Sequence, residues 1–503
     1  MSPAVSIELL PLGKTLRVER GTSLQDVLFA QGVEFPCGGR GRCKGCRVKV
    51  LAGEAAVSVE DRALISSDEL AAGWRLSCRA SAGGDLTLEL AQWEAAILAD
   101  DTGFAFTPQE GLGVAVDLGT TTLAAQLLDL RTGHVLAVRT ALNAQGRHGA
   151  DIMSRVEFAA HRGGQATLME LIRKQIGQLI LELLSTAAGR DSELREVVIV
   201  GNTVMHHLFC DVSVEPLSRH PFESADGGLK IFSAALLGWQ IASAATVRFL
   251  PSLGSFVGSD ILAGVLATRL HESDALVALV DLGTNGEMVV GNRERLLCAS
   301  TAAGPAFEGA RISMGMRAAS GAISEVSVTE GQVRCRVLGN VTPRGICGSG
   351  LVDAVAAGLE SRRIQPSGRL TGGGVFPLLE PVSLTQADVR ELQLAKGAIA
   401  AGLRILIQQW GARLENVSRL YLAGAFGNYI NRTSAQRIGL LELPPEKVIS
   451  AGNTALLGAK LALFSLHEND GSLAAIRQRI HHVPLNEDPQ FQEIYVDAMG
   501  FPG

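Results

Sequence analysis

The feature that most constrains this chain is a repeat on the scale of a domain. "GLGVAVDLGTTTLAAQLLDLRTGHVLAV" (111–138) and "LVALVDLGTNGEMVVGNRERLLCAS" (276–300) follow one plan. An apolar strand ends in Asp-Leu-Gly-Thr, a second strand follows, and a turn containing Gly133 or Gly291-Asn292 leads to a third. Each half also runs a strand into Gly-Asn-Thr and then a helix, at "VVIVGNTVMHHLF" (197–209) and "VISAGNTALLGAKLAL" (449–464). Self-similarity of this kind predicts two homologous α/β lobes.

Two such strand ends facing each other make a nucleotide clamp. Asp117 and Asp281 would each close a buried strand and together hold Mg²⁺, through water. Gly119 and Gly283 would let the turn backbone approach a phosphate. The N–H groups and hydroxyls of Thr120, Thr121, Thr284 and Asn285 can donate to phosphate oxygens. "LYLAGAFGNYI" (420–430) reads as a strand entering a small-residue turn, where Gly424, Ala425 and Gly427 suit a flat adenine or ribose. "GICGSGLVDAVA" (345–356) puts Gly348 at the start of a helix, where free amides bind anions. "STAAGPAFEGARI" (300–312) adds Gly304 and Pro305 as phosphate-lining candidates. No G-x-x-x-x-G-K-[ST] loop occurs, and no complete G-x-G-x-x-G follows a strand, so P-loop and Rossmann sites are unsupported. Paired D-x-G-T strands with a third glycine turn resemble the acetate and sugar kinase, heat-shock chaperone and actin superfamily. That resemblance implies a two-lobed, ribonuclease-H-like ATPase.

Ahead of the repeat stands "CGGRGRCKGC" (37–46), and Cys78 follows in "WRLSCRA". The spacing is C-x5-C-x2-C-x31-C. Zinc ribbons use two short pairs, and only one is present. A thioredoxin-type pair opens a helix, whereas "CKGC" runs into "RVKVLAGE", which alternates as a strand. Three cysteines on a glycine-rich loop plus one distant cysteine is the ligand logic of a [2Fe–2S] ferredoxin, here Cys37, Cys43, Cys46 and Cys78. The flanks read as hairpin, helix, loop and closing strand, the β-grasp order. Residues 4–93 therefore resemble a plant- or vertebrate-type ferredoxin, with a first gap matching the vertebrate type. Arg40, Arg42, Lys44, Arg47 and Lys49 crowd the loop with no acid among residues 37–49. They read equally as a solvated face or as a docking collar for an acidic redox partner.

The expected organisation is mixed α/β: a ferredoxin domain over 1–93, a connector over 94–112, and ATPase lobes over 113–275 and 276–503. With 45 basic against 51 acidic residues the net charge is −6, which gives no whole-chain signature of nucleic-acid binding. The N-terminal stretch lacks a basic, apolar leader pattern, and no run of apolar residues is long enough to span a bilayer. Four of the eight cysteines precede residue 80 and four are scattered after it, unlike a secreted disulfide framework. The cytoplasm is the expected compartment.

A [2Fe–2S] domain ahead of such a clamp is an uncommon pairing. Together with "NAQGRHGADIMSRV" (143–156), "GNTVMHHLF", "GSFVGSDILAG" (254–264), "DLGTNGE" and "GICGSGLVDA", it resembles the reductive activators of corrinoid-dependent methyltransferases. The resemblance implies a [2Fe–2S] cluster, ATP and Mg²⁺ as cofactors. It implies a corrinoid protein and a low-potential electron donor as partners, and reduction of a Co(II) corrinoid to Co(I). It implies neither nucleic acid nor membrane, and leaves a homodimer open. A first-lobe acid often orients the attacking water in this superfamily, which nominates Asp151, with Glu287 as competitor; capping of a helix is the other reading of Asp151, and glycine-flanked Asp260 reads either as a contact to Mg²⁺ or as a helix cap. Rival readings are an activator of a radical dehydratase, an ATP-binding redox sensor, and a small-molecule kinase.

Overall fold

The computed structural model describes residues 4–10, 14–29, 31, 33, 41, 46–90, 106–149, 151–161, 163–187, 190–224, 226–241, 244–283, 285–304, 306–309, 311–316, 318, 321–338, 341–427, 429–465 and 471–503. Cys37, Cys43, Thr284 and Pro305 lie outside the described residues, as do Arg40, Arg42, Lys44 and residues 94–105 of the expected connector.

The N-terminal unit is a five-stranded sheet: β1 (Ala4–Leu10), β2 (Lys14–Glu19), β3 (Arg47–Ala52), β4 (Trp74–Leu76) and β5 (Leu86–Leu90). The strand order is β2-β1-β5-β3-β4, with β1 parallel to β5 and the other pairs antiparallel. Helix α1 (Leu24–Phe29) crosses one face. The alternation in "SIELL" and "DLTLEL" buries Ile7, Leu9, Leu86 and Leu88 against Leu24 and Leu28, all at 3% exposure or less. This is the β-grasp arrangement expected from the sequence.

The repeat becomes two six-stranded sheets. In the first lobe β6 (Leu112–Leu118), β7 (Thr122–Asp129) and β8 (Val135–Leu142) form an antiparallel meander. β9 (Leu194–Gly201) and β11 (Thr246–Phe249) add in parallel on the other side of β6, and β10 (Lys230–Ser233) closes the edge. In the second lobe β12 (Val277–Leu282), β13 (Gly286–Gly291) and β14 (Leu296–Thr301) repeat the meander. A three-stranded sheet, β15 (Ala322–Thr329), β16 (Gln332–Val337) and β17 (Gly345–Ile346), and a hairpin of β18 (Val375–Leu379) and β19 (Val382–Thr385) are inserted after it. β20 (Arg419–Ala423) and β21 (Val448–Gly452) then add in parallel beside β12, and β22 (Ile480–His482) joins β14.

The common order, β8-β7-β6-β9-β11 against β14-β13-β12-β20-β21, corrects one detail of the sequence reading. The two Gly-Asn-Thr segments do not occupy equivalent slots. Gly201-Asn202-Thr203 follows β9, next to the aspartate strand, whereas Gly452-Asn453-Thr454 follows β21, one strand further out. The slot equivalent to β9 is β20, which enters the Gly424–Gly427 turn. The helices Ser259–Thr268 and Thr454–Ser465, each leading out of an equivalent outer slot, pack on one another. Their approach is close enough that a Cβ on Gly458 would stand 2.5 Å from the Ala263 Cα.

The ferredoxin unit rests on both lobes. Val138 of β8 is buried within its core cluster, and Val135 and Tyr429 pack against the same cluster. Arg336 of β16 reaches Asp26 of α1 at 3.5 Å.

Candidate functional site

Strand ends build the site. β6 delivers Asp117, β12 delivers Asp281 and β13 begins next to Glu287; all three line a cavity of about 310 Å³ between the lobes. Asp260, in the first turn of the helix after β11, lines it too, as do Gly119, Thr120, Thr121, Gly283, Asn285 and Gly424. The sequence thus located both halves of the clamp. It left Asp260 open between a contact to Mg²⁺ and the capping of a helix, and did not single out Asn202, Asn453 or Glu308; all four line the cavity. The signal that finds the first three is position: in open α/β sheets, ligands sit beyond the carboxyl ends of parallel strands, and each of these residues follows β9, β11 or β21.

A set of side chains holds the first-lobe turn from behind. The Asn143 Nδ2 donates to the Gly119 carbonyl at 2.9 Å, and the Arg155 guanidinium donates to the Thr120 carbonyl at 2.6 Å. The Asn202 Nδ2 donates to the Thr120 hydroxyl at 2.9 Å, while its Oδ1 caps the following helix at Met205 N. Arg155 is 1% exposed; burial pulls its guanidinium down to about 10, against the opposing pull of Asp151. Across the cleft, Asn453 Nδ2 donates to Asp117 Oδ2 at 2.8 Å, a direct bond between the lobes.

Four of the five carboxyl groups that line the cavity have raised pKa values. Burial pushes Asp117 up to about 6, opposed by the Asn453 bond. Burial and then the charge of Asp117 push Asp281 up to about 7. Burial, then Asp281 and Asp117, push Asp260 up to about 8, and Glu287 lies well above its ordinary value for burial first and its carboxylate neighbours second. Such a donor set fits a divalent cation, whose charge would let these groups ionise together. Among the described residues no three such ligands converge on one point, so the fit is to an ion that keeps several waters and takes phosphate oxygens, as Mg²⁺ does.

Gly424 shows why the third turn needs glycine. Its φ is +85°, and a Cβ there would stand 2.5 Å from Asp281 Oδ1 and 2.6 Å from the Leu282 carbonyl. Phe426, next in the turn, lines the cavity and stacks on Phe307 with centroids 4.6 Å apart. Gly427 packs instead on Leu422, and Gly348 lies against Phe307 and Phe426 without lining the cavity. Gly304, at φ +78°, does not line it either. Ala425 sits within the helical turn Gly424–Gly427.

Asp151 is a correction. It is exposed, lies outside the cavity and forms the N-cap of the helix Ile152–Ala160, accepting from Ser154 N at 2.9 Å in a reciprocal capping box. Its contribution to the site is indirect, through the charge it places near Arg155. Glu287, the competitor, is 8% exposed within the cavity.

At the far end of the chain's N-terminal unit, β3 and β4 pair antiparallel with Arg47 opposite Leu76. That register brings Cys46 and Cys78 to the same end of the sheet, at 1% and 8% exposure. Ser77, beside Cys78, donates its N–H and its hydroxyl to the Cys46 carbonyl at 3.1 and 2.8 Å. Two soft sulfur donors, far apart in sequence and held at one edge of a rigid sheet, fit an iron–sulfur cluster. Both collar cations among the described residues are engaged: Arg47 pairs with Glu69 at 2.8 Å, and both Arg47 and Lys49 lie over the Trp74 ring. Cys298 and Cys335 in the second lobe belong to different sheets, and burial pushes their thiols up to about 12 and about 11.

The comparisons with known proteins agree with this geometry. Residues 7–83 match the 2Fe-2S iron-sulfur cluster binding domain, residues 112–273 the RACo middle region, and residues 275–503 the C-terminal domain of RACo, the ASKHA domain. The corrinoid activation enzyme RamQ of Eubacterium limosum is 35% identical over 418 residues, spanning 76% of this chain and 69% of that protein. The [Co(II) methylated amine-specific corrinoid protein] reductase of Methanosarcina barkeri is 28% identical over 426 residues, 77% of each. A solved reductive activator for a corrinoid, iron–sulfur protein superposes with a TM-score of 0.71 at 27% identity, covering 99% of this chain and 98% of its own. With a cluster domain, an ASKHA domain and this degree of likeness along most of its length, the chain belongs to the family of corrinoid activation enzymes.

Proposed function

We propose that this protein reduces the inactive Co(II) corrinoid of a partner protein to Co(I), drawing on ATP and on electrons from a low-potential donor. The observation that carries the reading is a two-lobed cleft lined by five carboxyl groups in the same chain as a ferredoxin unit seated on both lobes. Bound at Cys37, Cys43, Cys46 and Cys78, a [2Fe–2S] cluster supplies single electrons at low potential.

In this reading Gly119, Thr120, Thr121, Gly283, Thr284 and Asn285 receive the phosphates of ATP. Asn143, Arg155 and Asn202 hold the first of these turns in place. Asp117, Asp260 and Asp281 would hold Mg²⁺ through water, and Glu287 orients the attacking water. Gly424, Ala425 and Gly427 form the turn beneath the nucleoside, with Gly348 packed against Phe426 of that turn. Returning an electron to Co(II) is uphill, so the nucleotide must bias an equilibrium rather than modify the corrinoid. For a one-electron transfer, each tenfold of nucleotide-linked differential binding is worth about 59 mV.

The same reading places the protein in the cytoplasm, away from nucleic acid, with a homodimer as an open arrangement. No helix among the described residues is long and apolar enough to cross a membrane. The test is spectroscopic. Anaerobic protein with its cluster, a chemical reductant and a corrinoid protein should show Co(I) absorbance growing only when Mg·ATP is present. Co(I) growth independent of nucleotide, or none at all with a cluster that merely alters the ATPase rate on bleaching, would reject it, the latter in favour of redox sensing.

A further inference from the structure

Tyr429 joins two sites that the proposed reaction needs but that lie in different domains. Its main-chain N–H donates to the Phe426 carbonyl at 3.0 Å. Phe426 lines the nucleotide cavity, in the turn whose Gly424 abuts Asp281. At its other end the Tyr429 hydroxyl donates to the Val33 carbonyl at 3.2 Å, and the ring packs on the ferredoxin core. Val33 is 1% exposed and its own N–H is bonded to the Leu28 carbonyl at 3.0 Å, so the acceptor is fixed to α1. Four residues later comes Cys37, the first cluster cysteine of the sequence reading. One tyrosine thus spans from the wall of the cavity to the backbone that leads into the cluster loop.

The remaining contacts of the ferredoxin unit make this span consequential. On the first lobe it is held by apolar packing at Val135 and Val138 of β8. On the second it is held by Arg336 to Asp26 at 3.5 Å and by Tyr429, whose ring packs on the ferredoxin core and whose hydroxyl bonds Val33. A body fixed to both lobes cannot keep both sets of contacts if the width of the cleft changes. Apolar packing tolerates small sliding, whereas a single hydrogen bond is directional and weakens steeply with angle. The bond at Tyr429 therefore responds first to movement of the nucleotide turn.

We propose that Tyr429 is a positioning residue that ties the nucleotide turn to the loop entering the cluster, so that nucleotide occupancy sets how the [2Fe–2S] domain sits on the second lobe. The proposal rests on the reading of the cavity as the nucleotide site. It is separate from the chemistry there: Tyr429 is not among the residues that line the cavity.

The test is hydrogen exchange at the Val33 amide in the full chain, with and without a non-hydrolysable ATP analogue and Mg²⁺, for wild type and Tyr429→Phe. Phenylalanine keeps the packed ring and removes only the hydroxyl. In wild type, nucleotide should alter exchange at Val33 by about 2- to 10-fold, the weight of one neutral hydrogen bond. In Tyr429→Phe that response should disappear while calorimetric affinity for the analogue stays within about 2-fold. Cobalt reduction by the variant should lose much of its dependence on ATP. Nucleotide binding with no change at Val33 in wild type, or the same change in Tyr429→Phe, overturns the proposal and leaves the nucleotide site standing. Failure of wild type to bind the analogue at all overturns the nucleotide site and this proposal with it. Arg336→Gln is the parallel variant: it should loosen the same interface, and an identical nucleotide response in it and Tyr429→Phe would mean the interface as a whole, not Tyr429, carries the signal, which also overturns the proposal.

Discussion

Gly424→Ala tests whether the third turn must lie against Asp281. The substitution has two separable costs. The first is conformational: φ is +85°, and a side chain there costs about 1–2 kcal/mol. The second is steric. The new methyl would stand 2.5 Å from Asp281 Oδ1 and 2.6 Å from the Leu282 carbonyl, where ordinary contact begins near 3.4 Å. Leu282 cannot retreat, because β12 is held on both sides by β13 and β20. The turn must move instead, by about 1 Å, and a shift of that size at a site typically costs on the order of 100-fold in function. Gly163→Ala supplies the control. Gly163 has φ +78°, caps the helix Gly164–Leu184 and has nothing within 4 Å of its Cβ position, so it carries only the first cost. Both variants should melt a few degrees lower, since about 1 kcal/mol moves the midpoint of a domain this size by roughly 2–4 °C. Only Gly424→Ala should weaken calorimetric ATP binding, by at least about tenfold, or 1.4 kcal/mol. If Gly424→Ala binds ATP as tightly as Gly163→Ala does, the turn does not border the nucleotide and the site as built is wrong.

Three further outcomes follow from the same geometry. Asp117→Asn and Asp281→Asn should each abolish ATP hydrolysis and cobalt reduction while leaving the visible spectrum of the cluster unchanged; full ATP-dependent reduction by Asp281→Asn would end the two-loop clamp. Cys78→Ser should lower iron content below the expected two or so per chain, whereas Cys210→Ser, whose thiol is buried in the first lobe and pushed far above its ordinary value by burial, should not. Acid stability should carry the mark of His206, whose ring sits on Phe249 and donates to the Gly228 carbonyl at 2.9 Å. Burial first, then the neighbouring His207, pull it down to about 4 from 6.5, so the folded state prefers the neutral ring. Its stabilisation is complete above about pH 6.5 and is lost as pH falls towards 4, by up to about 3 kcal/mol. His206→Gln should flatten that limb of a urea-unfolding series, and an unchanged limb would mean the ring is reached by water.

Local signals were legible in the sequence and non-local ones were not. The aspartate strands stood out because each is a short apolar run ending in the same turn, and the cysteine loop because ligand spacing is a local property. The equivalence of the Gly-Asn-Thr segments failed because a strand's slot depends on which distant strand it pairs with, and "VVIVG" and "VISAG" carry nearly the same local pattern. Asp151 was ambiguous for a related reason. An aspartate before a helix has a capping role available wherever that helix lies, and only its position relative to the cleft decides whether it has another. Tyr429 had no sequence signal at all: its role comes from complementarity between two domains that are not neighbours in the chain.

The broken equivalence of the two lobes bears on where a cation would sit. The outer slots β11 and β21 each feed a helix whose first residues reach the cavity, and the two slots carry different chemistry. After β21 the residue is Asn453, which donates to Asp117 and offsets part of the cost of burying it. After β11 it is Asp260, an acid, which adds charge beside Asp281 and Glu287. An amide at the equivalent position would have neutralised that side as Asn453 does the other. One side of the cavity is therefore closed by a hydrogen bond between lobes; on the other, Asp281 raises the pKa of Asp260 and Glu287, and Asp260 that of Glu287. A divalent ion bound with ATP relieves the second side far more than the first. The greater relief therefore falls at Asp260 and Asp281, while Asp117 meets the ion with part of its burial cost already offset by Asn453. It also means that Asp260→Asn, by making the two sides alike, should weaken Mg²⁺ dependence of ATP binding more than Asn453→Asp does, although the latter adds a further carboxyl group.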